Sequence, residues 1–356
     1  MPGAALPLAR GYDMDAPSTL LERRERGIHA LCRGRPRGRG AGLRRLVGWV
    51  VLPAPALMPE TAVMATTNEQ PVPGAQEGYA DASIRRVTAE NGIEYAYHDL
   101  GAGQLPLVLL QHFRGNLDNW DPALIDDLAA GRRVVTFDNR GVGGTTGMTP
   151  DTIEAMAHDA IAFVDALGLE KVDLLGFSIG SFVAQEIALI RPDLLRRVVL
   201  ASSAPQGADG MHGWAPEVIG AVGQPETNPQ GYIGVFFAPT STSREAGQQA
   251  AGRIFGKKAN RDAPTTWQTR QAQYDAVCRW GIPNHSLLQR VSAIDLPVFV
   301  ANGDSDPMIL PRYSYLLTGL LPDARLKIYP DSAHGFLFQH HSRFAADVGD
   351  FLAAGG

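Results

Sequence analysis

Short apolar runs alternate with segments of helical periodicity from about Ile84 onward. Several of the runs are continuously apolar and end in turn residues, which is typical of strands buried on both faces of a parallel sheet. Two early runs are joined at Asn91–Gly92, a dipeptide that favours a tight hairpin. The pattern predicts eight strands, which read in chain order IRRV, IEYAYHDLG, LPLVLLQHF, RRVVTFDNRG, KVDLLGF, LRRVVLASSAP, LPVFVANGD and ARLKIYP.

Repeated strand–helix units predict an α/β fold built on a doubly wound, mostly parallel eight-stranded sheet. The alternation stops in the middle of the chain, where helical pieces with Gly and Pro punctuation replace the strands. We therefore assign residues 81–206 and 285–356 to the core and residues 207–284 to an inserted helical cap.

Two predicted helices have boundaries that can be tested. Thr149–Pro150 is expected to open the helix after the fourth strand, because proline suits a first helical turn. Inside the cap, a helix from Thr265 to Trp280 is expected to bury one face, made of Trp267, Tyr274, Val277 and Cys278.

The first 63 residues differ in composition from the rest. They hold ten arginines, no lysines and five acidic residues, a local charge of +5, so the remainder carries −10. Their Arg/Gly and Pro-rich runs show no periodicity that would bury a face, so we expect residues 1–80 to be disordered or to precede a true start near Met64. The alternatives are a secretory signal around Leu46–Leu52 and a nucleic-acid-binding tail.

The composition argues against several protein classes. A net charge of −5 gives no reason to expect a nucleic-acid partner. No apolar run reaches the roughly 18 residues of a membrane helix, so no membrane association is expected. The two cysteines, Cys32 and Cys278, lie far apart and without metal-type spacing. We expect a cytoplasmic protein with a small-molecule substrate, and nothing in the sequence indicates its oligomeric state.

One serine stands between two glycines where a predicted strand meets a helix. In "DLLGFSIGSF", Ser178 ends the strand and opens the helix, and Gly176 and Gly180 complete the pattern G-x-S-x-G. A serine becomes a nucleophile only when a base serves it, and a sharp strand-to-helix turn holds it accessible. A side chain at either glycine would collide with the neighbouring strand and helix. The alternative is an ordinary turn serine.

A base and an acid follow the last two predicted strands. His334 lies in the loop "PDSAHGF", and "NGDSDP" supplies Asp304 and Asp306. The order Ser…Asp…His is one of those in which catalytic triads occur. We choose Asp306 as the partner of His334 and expect Asp304 to cap the turn. The alternative for His334 is a plain loop residue.

An oxyanion requires preorganised N–H donors. One candidate is the backbone N–H of Ile179, at the start of the helix that follows Ser178. The other comes from the loop after "LVLLQ", from either Phe113 or Arg114.

These motifs resemble those of the α/β-hydrolase superfamily over about Ile84 to Leu352. "GFSIGSFVAQ" resembles its nucleophile elbow, "NGDSDPMI" its acid loop, "YPDSAHGF" its histidine loop and "FDNRGVGGTTG" its Asp-x-Arg-Gly-x-Gly turn. The chain is most similar to the single-cap group of enol-lactonases, carboxylesterases and cofactor-free haloperoxidases. The resemblance implies the α/β-hydrolase fold with a cap, Ser178 as nucleophile, His334 as general base and Asp306 as its partner.

The chain departs from the family pattern at two places. The family usually shows His-Gly-x where this chain reads Gln111-His112-Phe113, so Phe113 becomes the expected oxyanion donor and His112 brings a side chain where glycine is usual. We interpret His112 as a packed histidine, with a catalytic role as the alternative. Ser181 stands where a third glycine is common.

The combined interpretation is a serine hydrolase that cleaves a small ester or lactone through an acyl-enzyme on Ser178, without a metal or organic cofactor. Two alternatives stay open: a cofactor-free haloperoxidase or perhydrolase with the same triad, and a non-catalytic binder of a small hydrophobic molecule. Trp214 and Trp267 are candidate substrate contacts, with packing inside the cap as their alternative role.

Overall fold

The structure is a computed structural model that describes residues 78–226, 228–256 and 261–354. The predictions made for residues 1–77, including the start near Met64, lie outside the described residues. The described strands are β1 (Arg85–Thr88), β2 (Glu94–Leu100), β3 (Leu107–Leu110), β4 (Val134–Phe137), β5 (Val172–Phe177), β6 (Leu195–Ala201), β7 (Val298–Gly303) and β8 (Ala324–Tyr329).

The strands form one eight-stranded sheet in the order β1-β2-β4-β3-β5-β6-β7-β8. Only β2 runs antiparallel to its neighbours β1 and β4, and the other pairs are parallel. Strands β3, β4, β5 and β7 are buried along their whole length, as the continuous apolar runs predicted. The predicted fold class is confirmed.

The α-helices flank the sheet or lie between β6 and β7. Their bounds are α1 (Pro122–Ala129), α2 (Ile153–Ala166), α3 (Ile179–Ile190), α4 (Pro216–Val222), α5 (Pro229–Phe236), α6 (Ser241–Phe255), α7 (Trp267–Trp280), α8 (His285–Gln289), α9 (Pro311–Leu320), α10 (Phe336–Gln339) and α11 (His341–Ala353). Short 3₁₀ turns cover Tyr79–Asp81, Leu117–Asn119, Pro192–Leu194 and Arg290–Ala293. Helix α1 packs against α11, and α2 packs against α3.

Helix α2 begins later than the sequence predicted. Its N-cap is Thr152, whose side chain accepts from the Ala155 N–H, so the helix starts at Ile153 and not at Pro150. The reason is that the Thr149 hydroxyl donates to the Arg140 carbonyl and belongs to the preceding loop. A capping threonine inside the loop therefore sets the boundary.

Helices α4 to α7 lie within residues 207–284, where the cap was expected, and α8 follows them before β7. The face predicted for α7 is wrong in part, because Val277 is buried whereas Trp267 is 46% exposed. The polar side chains of Thr269 and Gln273 turn inward instead. Both make hydrogen bonds to the core there: the Thr269 hydroxyl donates to the Gly141 carbonyl, and Gln273 Oε1 accepts a backbone N–H of the loop after β3.

Candidate active site

Ser178 occupies a strained turn between β5 and α3. Its φ is 57° and its ψ −124°, a region that residues with side chains rarely adopt. A Cβ added at Gly176 would lie 2.3 Å from the Gly180 carbonyl oxygen, and one added at Gly180 would lie 2.2 Å from the Leu110 carbonyl oxygen of β3. The collisions expected from the sequence are therefore confirmed, and both glycines are required by the close backbone packing that shapes the turn.

The structure brings Ser178, His334 and Asp306 together. His334 follows β8, and its Nε2 lies 2.9 Å from Ser178 Oγ. The other ring nitrogen, Nδ1, lies 2.8 Å from Oδ2 of Asp306, a residue in the loop after β7. All three side chains are buried, at most 3% exposed. Three strand ends that are far apart in sequence thus supply one continuous chain of hydrogen bonds at the carboxyl edge of the sheet.

Hydrogen bonds to the second carboxylate oxygen of Asp306 also hold its side chain in place. Oδ1 accepts the backbone N–H groups of Met308 at 2.8 Å and Ile309 at 3.0 Å. As an acceptor on Oδ2, the carboxylate fixes the proton of His334 on Nδ1 and leaves the Nε2 lone pair facing the Ser178 hydroxyl. The arrangement can therefore remove a proton from Ser178.

Asp304 has a separate structural position. Its carboxylate accepts the backbone N–H groups of Asp331 at 2.9 Å and Ser332 at 3.2 Å. These bonds join the loop after β7 to the loop that carries His334. Asp304 therefore supports the position of His334 without contacting its ring nitrogens.

The predicted oxyanion donors lack acceptors. Within the described residues, neither the backbone N–H of Phe113 nor that of Ile179 donates a hydrogen bond. The N–H groups next to Phe113 are occupied, because His112 donates to Gln111 Oε1 at 2.9 Å and Arg114 donates to Gln273 Oε1 at 2.7 Å. Of the two loop candidates, Phe113 is thus the one whose N–H is available to a ligand.

A cavity of about 650 Å³ lies between the core and the inserted helices, and His334 is part of its lining. Much of the lining is apolar, and these side chains include Phe113, Val222, Phe236, Phe255 and Met308. Phe236 also packs edge-on against the His334 ring, with centroids 5.2 Å apart. The cavity suits a small, mostly apolar molecule beside the His334–Ser178 pair.

Trp214 and Trp267 are not among the described residues that line this cavity. Trp214 packs edge-on against Phe113, with centroids 4.9 Å apart, and against Tyr274 at 5.1 Å. Trp267 covers the Arg270 guanidinium, whose carbon lies 4.8 Å from the ring centroid. Packing inside the insertion fits Trp214, which is buried, whereas Trp267 is exposed and stacks on Arg270.

His112 is a buried residue of the cavity lining. Its Nδ1 lies 2.9 Å from the Phe113 carbonyl, which makes that nitrogen the N–H donor. Burial lowers the pKa of His112 to about 4, although the Phe113 and Asn119 carbonyls act weakly in the opposite direction. The side chain is therefore neutral near pH 7, in agreement with its interpretation as a packed histidine.

The Asp-x-Arg-Gly-x-Gly turn brings two carboxyl groups together. Asp138, after β4, accepts the N–H of Leu117 at 2.8 Å and that of Gly144 at 3.0 Å, and it hydrogen-bonds the side chain of Asp262. Burial raises the pKa of Asp138 well above its usual value, and the hydrogen bond and charge of Asp262 act in the same direction. Asp138 therefore binds its proton more tightly than an exposed carboxyl does, and its neighbour Asp262 belongs to the cavity lining.

The raised pKa of Asp138 predicts a pH-dependent stability. Because folding raises the pKa of Asp138, the folded state holds a proton that the unfolded chain releases above about pH 4. The contribution of this proton to the free energy of unfolding is fully present below that pH and is lost as the pH rises through the raised pKa. Asp262→Asn replaces a charged carboxylate with a neutral amide that does not titrate, which removes its effect on the pKa of Asp138. The free energy of unfolding in urea should therefore fall less between about pH 5 and about pH 9 than it does in wild type.

A matched control for this prediction is Asp151→Asn. The Asp151 side chain is 54% exposed and pairs with Arg279 on the surface. It should show the same pH dependence as wild type. Equal losses in all three proteins would contradict a contribution of Asp262 to the raised pKa of Asp138.

Within the described ranges, no three His, Cys, Asp or Glu side chains form a group that could hold a metal ion. Among those same residues, no helix is both long enough and apolar enough to cross a membrane.

A sequence profile of the α/β hydrolase fold matches residues 106–341. The chain belongs to the α/β-hydrolase-fold family. An α/β hydrolase fold protein from Chitinophaga pinensis is 37% identical, with a TM-score of 0.73, and the alignment covers 78% of this chain and 100% of that one. This likeness extends well beyond the four short motifs.

Two curated relatives belong to the haloperoxidase group by name. The non-heme haloperoxidase of Rhodococcus erythropolis is 27% identical over 287 residues, 75% of this chain and 98% of that protein. BpoC of Mycobacterium tuberculosis, named provisionally as a non-heme bromoperoxidase, is 36% identical over 112 residues. That match spans 31% of this chain and 42% of BpoC, less than half the length of the relative.

Proposed function

We propose that this α/β hydrolase cleaves a small ester or lactone through an acyl-enzyme on Ser178. The observation that carries the proposal is the buried chain of hydrogen bonds from Ser178 Oγ through His334 to Asp306, at 2.9 and 2.8 Å. It unites a nucleophile, a base with the correct tautomer and a carboxylate that orients the base. In this proposal the helices between β6 and β7 act as a cap, and the protein works in the cytoplasm.

In the first half-reaction, His334 Nε2 takes the Ser178 proton as Oγ attacks the substrate carbonyl. Asp306 stabilises the imidazolium that forms, and the N–H groups of Phe113 and Ile179 bind the oxyanion. The intermediate collapses when the C–O bond to the leaving alcohol breaks and His334 returns the proton to that oxygen. In the second half, His334 activates a water that attacks the acyl-enzyme, and the acid leaves with Ser178 regenerated.

A perhydrolase is the second candidate function, and the name of the Rhodococcus erythropolis relative favours it. Hydrogen peroxide would replace water in the second half-reaction and release a peracid, which oxidises halide and returns to the carboxylic acid. Both candidates use the same three residues. Halogenation that requires both peroxide and acetate would separate perhydrolysis from simple ester hydrolysis.

The proposal is tested by labelling with a fluorophosphonate, which reacts with activated serines. We expect one adduct, mapped by mass spectrometry to Ser178, and no adduct in Ser178→Ala or His334→Ala. Heat-unfolded wild type serves as the control and should not react. A folded wild type that stays unlabelled would contradict the nucleophile and favour a non-catalytic binder of small hydrophobic molecules.

A further inference from the structure

Several buried polar atoms of the cavity lining have no hydrogen-bond partner among the described residues, and two of these atoms belong to residues that are themselves buried. These two are Nε2 of His112 and the hydroxyl of Tyr232, on residues only 5% and 6% exposed. A buried polar group without a partner is rare in folded proteins, because its lost hydration is not replaced. Where such an atom belongs to a cavity lining, a ligand is the natural source of the missing bond.

The chemistry of His112 restricts what that ligand must supply. Nδ1 is the protonated nitrogen, because its neighbour at 2.9 Å is the Phe113 carbonyl oxygen, which can only accept. The ring is buried and neutral, so Nε2 carries a lone pair and no proton. It can therefore accept a hydrogen bond but cannot donate one. The Tyr232 hydroxyl can either donate or accept a hydrogen bond, so it does not decide which of the two the ligand must supply.

The packing places His112 close to the reacting groups. The rings of His112 and His334 contact the same two phenylalanines: Phe177, with centroids at 5.3 and 5.1 Å, and Phe236, at 5.4 and 5.2 Å. His112 also precedes Phe113, the expected oxyanion donor, in the chain. A substrate whose carbonyl reaches Ser178 thus has its neighbouring atoms near His112.

We propose that His112 Nε2 selects substrates by accepting a hydrogen bond from a hydroxyl group near the scissile carbonyl. The substrate class is then a neutral ester or lactone with a mostly apolar body and at least one free hydroxyl. This inference rests on the proposed hydrolase function and adds a specificity-determining residue to it. Without the hydroxyl, the substrate leaves the buried acceptor unpaired, which should reduce kcat/KM by roughly 10- to 100-fold.

The test compares matched esters with and without a hydroxyl. One series is methyl phenylacetate and its 2-, 3- and 4-hydroxyphenyl forms, and the other is phenyl acetate and its three hydroxyphenyl forms. The first series carries the hydroxyl on the acyl part and the second on the alcohol part. Each kcat/KM is divided by the rate of alkaline hydrolysis of the same ester, which removes differences in intrinsic reactivity.

The decisive variant is His112→Asn. The asparagine amide can still donate to the Phe113 carbonyl but leaves no acceptor at the position of Nε2. In wild type we expect the best hydroxy ester to exceed its parent by roughly 10- to 100-fold, and in the variant we expect that ratio to fall toward one. The control is His341→Asn, whose partner is the surface residue Asp127 and which should keep the wild-type ratio.

A second measurement does not depend on the His112 variant folding. In Ser178→Ala protein, the ¹⁵N resonance of His112 Nε2 should move upfield when the preferred hydroxy ester binds and stay in place with the parent ester. A wild-type ratio near one in both series, or a ratio that persists in His112→Asn, would overturn the inference. If neither series is turned over in a Ser178-dependent way, the proposed function itself fails, which is a distinguishable result.

Discussion

Replacing Ser178 with alanine is expected to lower kcat for ester hydrolysis by roughly 10⁴- to 10⁶-fold. The substitution removes one oxygen, and with it the atom that His334 Nε2 contacts at 2.9 Å. The cavity, the N–H donors of the oxyanion site and the packing of the turn are retained, so a small rate above the uncatalysed one should persist. The free energy of unfolding should change by less than about 1 kcal/mol, because Ser178 Oγ contributes to the site more than to the core.

The matched control is Ser314→Ala in α9. Ser314 is also fully buried, and its hydroxyl has no partner among the described residues, so its loss should leave kcat within about threefold of wild type. Steady-state kinetics on a p-nitrophenyl ester and urea unfolding of all three proteins provide the comparison. Residual activity of a tenth or more in Ser178→Ala, with the protein folded, would show that another group carries the reaction.

The central strands could be predicted because their sequence pattern reflects burial directly. A strand such as β5 is covered on both faces, so all its side chains are apolar except where charge is paired. Asp173 within it is such an exception, since its buried carboxylate pairs with the partly exposed Arg196. Continuous apolar runs of this kind leave few alternative structures.

The positions of Ser178, Asp306 and His334 could also be inferred, because each follows a recognisable strand and the sheet brings strand ends together. The glycines around Ser178 gave independent support, since close backbone contact admits no other residue there. Asp304 and Asp306 were harder to separate. Both follow β7, and only three-dimensional geometry shows that Asp306 reaches His334 while Asp304 turns toward the backbone of the other loop.

The cavity lining could not be predicted, because helices of the insertion have no repeated pattern that marks an inner surface. Sequence reasoning chose tryptophans for their size and missed Tyr232 and Phe236, which stack on each other and lie one helical turn apart in α5. That spacing of two aromatic residues was the available signal. The buried face of α7 was missed for a related reason: Gln273 is polar but is used to bind a backbone N–H of the core.

Asp306→Asn should lower kcat by about 10⁴-fold near neutral pH while leaving the protein folded. Two backbone N–H groups, of Met308 and Ile309, point at Oδ1 and require an acceptor there. The asparagine oxygen must therefore take the Oδ1 position, which turns the amide NH₂ toward His334 Nδ1. That donor forces the imidazole proton onto Nε2, and Nε2 can then no longer accept the proton of Ser178.

The same geometry provides the control and a way to separate orientation from charge. Asp304→Asn changes the neighbouring carboxylate, which bonds only backbone and hydroxyl donors, so kcat should fall by less than about tenfold. Asp306→Ala offers no donor to Nδ1 and leaves the tautomer free, so it should be at least as active as Asp306→Asn although it loses the same charge. An Asp306→Asn variant that outperforms Asp306→Ala would mean that Asp306 acts mainly by filling space, and an Asp304→Asn variant with the larger loss would transfer the orienting role to Asp304.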